Sequence, residues 1–117
     1  MAVNITGGTV SPSTALSTNG QTGTSYTLAL TDANNTMVEL SNASGIALTV
    51  PLNSTVAFPV GSQIHIMQTG AGQVTVAGAG GVTLNGTPGL KLRTQWSVAS
   101  LVKRGTDSWV IFGDVTN

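Results

Sequence analysis

The chain has 117 residues, the length of one domain, and its four Lys or Arg balance four Asp or Glu to a net charge of zero. Charged residues make up only 7% of it, where about a quarter is usual, and 40% is apolar, a balance that excludes intrinsic disorder. Cysteine is absent, which excludes disulfides and thiolate metal sites. A surface this poor in charge lacks the repulsion that keeps copies apart, so close packing against itself or a larger assembly is expected.

Residues 1–24 are rich in Thr, Ser, Asn and Gly and carry no charge. No sustained period runs through them, and they are read as an extended N-terminal arm, with Val3, Ile5 and Val10 as its apolar contacts. The start has no basic or apolar leader segment, and Met1 reads as a native initiator. No run approaches the length of a membrane-spanning helix, so no membrane partner is expected.

The domain proper is expected over residues 25–117. Tyr26–Leu30 alternates with period two, as do Met37–Leu40, Ile46–Val50 and Ser62–Thr69, each a half-buried strand. Asp32–Asn35 and Asn42–Gly45 carry turn chemistry between them. Pro51 and Pro59 bracket a connection in which Phe58 is expected to plug the core. Gly70–Val76 is echoed by Gly78–Leu84, and both Gly-rich starts read as tight hairpin turns where positive φ is cheap. Trp96–Lys103 and Trp109–Phe112 form a last pair of strands around the turn Gly105–Ser108. About eight short strands at roughly ten-residue spacing predict an all-β fold, a compact antiparallel sandwich or barrel.

Little in the chain reads as chemistry. His65 is the sole histidine and sits inside a strand, without the carboxylate and nucleophile that a catalytic histidine needs; a surface or interface role is expected. The Gly-rich turns precede strands and lack a nearby Lys, so they are not phosphate loops. Only a carboxylate pair made from Asp107 and Asp114, or from Asp32 and Glu39, would support acid–base catalysis. No catalytic, cofactor or metal residue is therefore assigned. All four basic residues, Lys91, Arg93, Lys103 and Arg104, fall in the last third, as a solvated rim or a contact to an acidic protein surface. Four such charges in a neutral chain do not make a nucleic-acid site.

Leu48-Thr49-Val50-Pro51, Phe58-Pro59-Val60-Gly61-Ser62-Gln63-Ile64, Gly70-Ala71-Gly72-Gln73-Val74-Thr75, Lys91-Leu92-Arg93 and Leu101-Val102-Lys103 through Trp109 resemble a small β-module of tailed-bacteriophage virion proteins. The resemblance spans residues 25–115 and rests on packing and turn residues. It implies a structural virion protein without enzymatic activity. A short chain with an N-terminal arm is similar in layout to head decoration (cement) proteins. The expectation is then a homotrimer made in the bacterial host cytoplasm. It would bind the major capsid protein on the outer capsid surface through Val3, Ile5 and Val10, with Lys91, Arg93, Lys103 and Arg104 as further contacts. The alternative is a receptor-binding tip or appendage domain that contacts host glycan through exposed aromatic residues.

Overall fold

Alternation of apolar and polar residues dictates strands with one buried face, and two sheets bury those faces against each other. The computed structural model describes residues 15–117. Its strands are β1 (Ser17–Gln21), β2 (Ser25–Thr27), β3 (Thr36–Leu40), β4 (Ile46–Val50), β5 (Gln63–Gln68), β6 (Val74–Gly78), β7 (Thr83–Gly86), β8 (Lys91–Leu92), β9 (Val98–Gly105), β10 (Ser108–Gly113) and β11 (Val115–Thr116). Sheet A has six strands in the order β1-β3-β5-β9-β10-β7, and sheet B five in the order β11-β8-β6-β4-β2. The all-β sandwich is as expected.

Two details differ from the sequence reading. First, the sandwich is not antiparallel throughout. Up to β9, successive strands fall on opposite sheets. Each link crosses the end of the sandwich instead of doubling back, so the chain winds as a coil and stacks parallel neighbours. The pairs β1–β3, β3–β5, β2–β4 and β4–β6 are parallel, as is β7–β10, while β5–β9, β9–β10, β6–β8 and β8–β11 are antiparallel. A sheet is about 10 Å from its partner, which three or more extended residues can bridge, so these short links suffice. Secondly, β1 lies within residues 1–24 and pairs with β3 along its whole length. Part of the expected arm is thus a strand of sheet A; Val3, Ile5 and Val10 fall outside the described residues.

The core is the layer between the sheets. Val38, Leu40, Ile64, Ile66, Leu101 and Trp109 from sheet A meet Ile46, Leu48, Val50, Val74, Val76 and Leu92 from sheet B, all buried. Phe58, from the link between β4 and β5, closes one end with its ring edge-on to Trp109 at 5.4 Å, as its expected plug role requires. Tyr26–Leu30 is strand only at its start; residues Leu30–Ala33 wind into a single 3-10 turn. No helix among the described residues is long and apolar enough to cross a membrane.

The echoed Gly segments are crossings between sheets, not hairpins. Val74 and Val76 face the core from sheet B, whereas Thr83–Gly86 belongs to sheet A. Positive φ occurs at Gly81 but not at Gly70 or Gly72. Those two are glycine because the 69–73 link stacks on the 41–45 link of the preceding coil. A Cβ on Gly72 would lie 1.8 Å from the Ser44 carbonyl oxygen, and the Gly72 amide donates to the Asn42 carbonyl at 2.7 Å. The hairpin at Gly105–Ser108 forms as expected, joining β9 to β10.

The stacking makes a test. Gly72→Ala should cost about 2–4 kcal/mol in a urea melt, because backbone must move to admit the methyl group. Gly20→Ala, with nothing within 4 Å of the added atom, should change stability by less than about 0.5 kcal/mol.

Candidate functional site

The outer faces of the two sheets differ in kind. Residues paired across neighbouring strands point to the same side, so the register gives each face as rows. On sheet A one row runs Thr18, Met37, His65, Ser100, Phe112. A second runs Gln63, Val102, Val110, Asn85, and a third Gly20, Glu39, Met67, Val98. Its apolar members are Val102, Val110 and Phe112 on β9 and β10, Met67 and Val98 on β5 and β9, and Met37 on β3, with His65 and Ser100 between them. Phe112 is 52% exposed and Val98 39%. On sheet B the rows are Ser25, Ala47, Thr75, Lys91, Thr116 and Thr27, Thr49, Ala77. In these rows only small side chains stand beside Lys91; Ser25, Thr27 and Thr75 are exposed, and Thr49 and Thr116 half-buried.

His65 stands in the middle of the apolar face. Its Nδ1 is 2.8 Å from the Ser100 hydroxyl on the adjacent strand. This is the half-buried surface position expected for it. No group of three or more His, Cys, Asp or Glu able to hold a metal ion occurs among the described residues.

Trp96 stands just before the Val98 end of this face, 64% exposed and at φ +74°. A bulky residue in the left-handed region is a backbone outlier, and such strain clusters at functional sites. Hydrogen bonds hold the turn around it. The Trp96 amide donates to the Gln68 carbonyl, Gln95 Nε2 to the Thr69 carbonyl, and the Thr94 amide to Ser97 Oγ, which itself donates to Asp114 Oδ2. Of the five aromatics, Trp96 and Phe112 are exposed, outside the core: Phe112 by its alternation with Trp109 and Ile111, and Trp96 by its backbone conformation.

The basic residues do not form one patch. Lys91 is half-buried on sheet B's outer face. Arg93 makes a two-point contact with Asp114, 2.8 Å and 3.0 Å, at an exposed site. The Arg93 guanidinium and then the Ser97 hydroxyl hold the Asp114 carboxyl below the usual carboxylate range. Lys103 is not on the surface: it is 2% exposed and points inward beside Trp109. Its Nζ donates to Asn53 Oδ1 and to the Phe58 carbonyl, both at 2.7 Å. Burial of an amino group is tolerated only with such partners, and here they fasten the link that carries Phe58. Its expected surface contact is thereby corrected, since an inward side chain on β9 follows the same alternation as Leu101. Arg104 is exposed.

Each carboxylate has its own surroundings, and neither supposed acid pair forms a shared site. Asp107 Oδ1 accepts the Asn53 amide, and Glu39 lies on the outer face of sheet A. Asp32 is buried beneath the 3-10 turn, where it accepts from Tyr26 Oη at 2.6 Å, from Asn19 Nδ2 at 2.8 Å and from the Ala29 amide at 2.8 Å. Burial, then the hydrogen bond to Asp32 and its charge, push the Tyr26 phenol up to about 12. Shallow clefts ring this turn, lined by residues that include Asp32, Asn34, Ala33 and Ser62.

Compared with protein-family models and with curated proteins, the chain matches none.

Two measurements check these environments. The Tyr26 phenol is favoured neutral in the fold, so its contribution is whole below pH 10 and is lost as pH rises through about 12. In an absorbance titration of the phenolate, Asp32→Asn should move the midpoint from about 12 back towards 10.0 without reaching it, because burial remains. Trp96→Asn, which suits the left-handed region, should hold or raise stability by about 0.5–1 kcal/mol in urea. A loss of more than about 1 kcal/mol would mean that the indole is a packing residue.

Proposed function

We propose that this protein is a bacteriophage structural protein, a capsid decoration protein that binds the major capsid protein on the outside of the head. It acts by binding alone. As a homotrimer on the outer capsid surface, it holds neighbouring capsomers together through buried apolar and backbone-pairing area. The observation that supports this reading is the contrast between the two outer faces. One presents Met, Val and Phe side chains from four strands, with Glu39, His65 and Arg104 among them, and the other carries small hydroxyl side chains. A module with one adhesive and one solvated face suits a layer between an assembly and water. The low charge of the chain and its resemblance to phage virion modules point the same way. The segment before β1, with Val3, Ile5 and Val10, is the proposed capsid contact, aided by the exposed Arg104 and by Lys91.

A second reading, a receptor-binding tip or appendage domain, is favoured by Trp96. An indole 64% exposed on a hydrogen-bonded, strained turn is suited to stacking on a sugar ring.

The deciding experiment is co-sedimentation with phage heads stripped of decoration. The full chain should co-sediment, and deletion of residues 1–14, which spares β1, should abolish binding while circular dichroism stays that of a folded β-protein. Undiminished binding of the truncated chain removes the arm from the mechanism. No binding by the full chain, together with fluorescence change at Trp96 on adding host surface polysaccharide, replaces the decoration reading by the receptor-binding one.

A further inference from the structure

We propose that Lys103 and Asn53 are the two halves of an intramolecular isopeptide cross-link, a covalent amide between their side chains that forms in the folded chain with loss of ammonia. The two groups already touch. Lys103 Nζ donates to Asn53 Oδ1 at 2.7 Å. A carbonyl carbon lies about 1.2 Å behind its oxygen, so Asn53 Cγ stands roughly 3–4 Å from the nitrogen, close to the separation at which attack begins. The terminal torsion of Asn is broad, so a turn of the carboxamide presents the face of Cγ to Nζ. Both partners are held. Lys103 Nζ also donates to the Phe58 carbonyl at 2.7 Å, and the backbone N–H of Asn53 donates to Asp107 Oδ1 at 2.7 Å. Asp107 is thus a positioning residue, which fixes Asn53 from its backbone.

The surroundings favour a bond over a contact. Lys103 is 2% exposed and pairs across β9 and β10 with Trp109, whose ring meets Phe58. Both acceptors of its Nζ are neutral, and among the described residues no carboxylate oxygen lies within 4.0 Å of it. An ammonium buried without a carboxylate is costly. A neutral amide in its place removes the charge and still keeps one N–H for the Phe58 carbonyl. The apolar walls also keep water from competing at Cγ. Lys91, the other lysine, stands on the outer face of sheet B with no carboxamide bonded to it among the described residues, and serves as the internal control.

The step balances without a co-reactant. A lysine attacks through its free amine. The bond from Lys103 Nζ to Asn53 Cγ forms and the Asn53 Cγ–Nδ2 bond breaks. Two protons pass from Nζ to Nδ2, which leaves as ammonium, so the one positive charge departs with it and nothing is oxidised or reduced. The product ties the link between β4 and β5, which carries Phe58, to β9. It closes a loop between positions 50 apart in a chain that has no cysteine for a disulfide. The bond lies inside the sandwich and is separate from what the outer faces bind.

Intact mass spectrometry of the folded full chain, held for several days at mildly alkaline pH, tests it. The chain should be lighter than its sequence, with or without Met1, by one ammonia, about 17 Da. Protease digestion should then yield one branched peptide that joins Asn53 to Lys103. Lys103→Met keeps the apolar stem and should show the full sequence mass, whereas Lys91→Met should keep the deficit. Two results would overturn the cross-link. One is a wild-type chain at its full sequence mass. The other is a deficit that persists in Lys103→Met, as ring closure of Asn53 on the Ser54 amide would give. The branched peptide is read on the wild-type chain, so the test stands however well the variant folds.

Discussion

A single layer of inward side chains, shared by two sheets, is the constraint on which the other features depend. Because successive strands up to β9 alternate between sheets, each crossing must fit at an end of the sandwich without pushing the sheets apart. Stacked crossings leave no room for side chains, and Gly70 and Gly72 answer that need against residues 41–45. The same crossings make parallel neighbours of β1, β3 and β5, and of β2, β4 and β6. The β9–β10 hairpin then enters sheet A between β5 and β7 and ends the winding.

The polar groups inside this layer sit where it ends. Lys103 ties down the link bearing Phe58, and Asp32 gathers Tyr26, Asn19 and the Ala29 amide beneath the 3-10 turn. No buried side-chain nitrogen or oxygen among the described residues lacks a hydrogen-bond partner. These charged residues are therefore accounted for by the fold itself, since an unpartnered buried polar group costs more than the bond it forgoes. What remains for interaction is the outside: the apolar face of sheet A, the Trp96 turn and the exposed Arg104.

The two outer faces give the molecule a direction. On one, Val102, Val110 and Phe112 form an apolar group on β9 and β10, with Phe112 exposed. On the other, threonine and serine hydroxyls keep water. The strain at Trp96 belongs to the first side, at the Val98 end of β9.

Much of the fold was legible from residues alone. Period-two alternation identified the inward set Val38, Leu40, Ile46, Leu48, Val50, Ile64 and Ile66, all of them buried, because burial acts on each side chain locally. The Gly105–Ser108 hairpin was legible for the same reason, since its turn lies within a few residues. Strand direction was not: a strand with one exposed face alternates identically in parallel and antiparallel sheets, and backbone hydrogen bonds leave no side-chain signature. Lys103 was misplaced because its charge suggested water, while its position on β9 required the interior. The candidate surface was hidden more deeply. Met37, His65, Ser100 and Phe112 are scattered along the sequence and become one row only when the register of four strands is fixed. The sequence by itself determined which side chains leave water. Tertiary structure alone decided which of the others stand next to one another, because neighbours across a sheet are set by long-range backbone pairing.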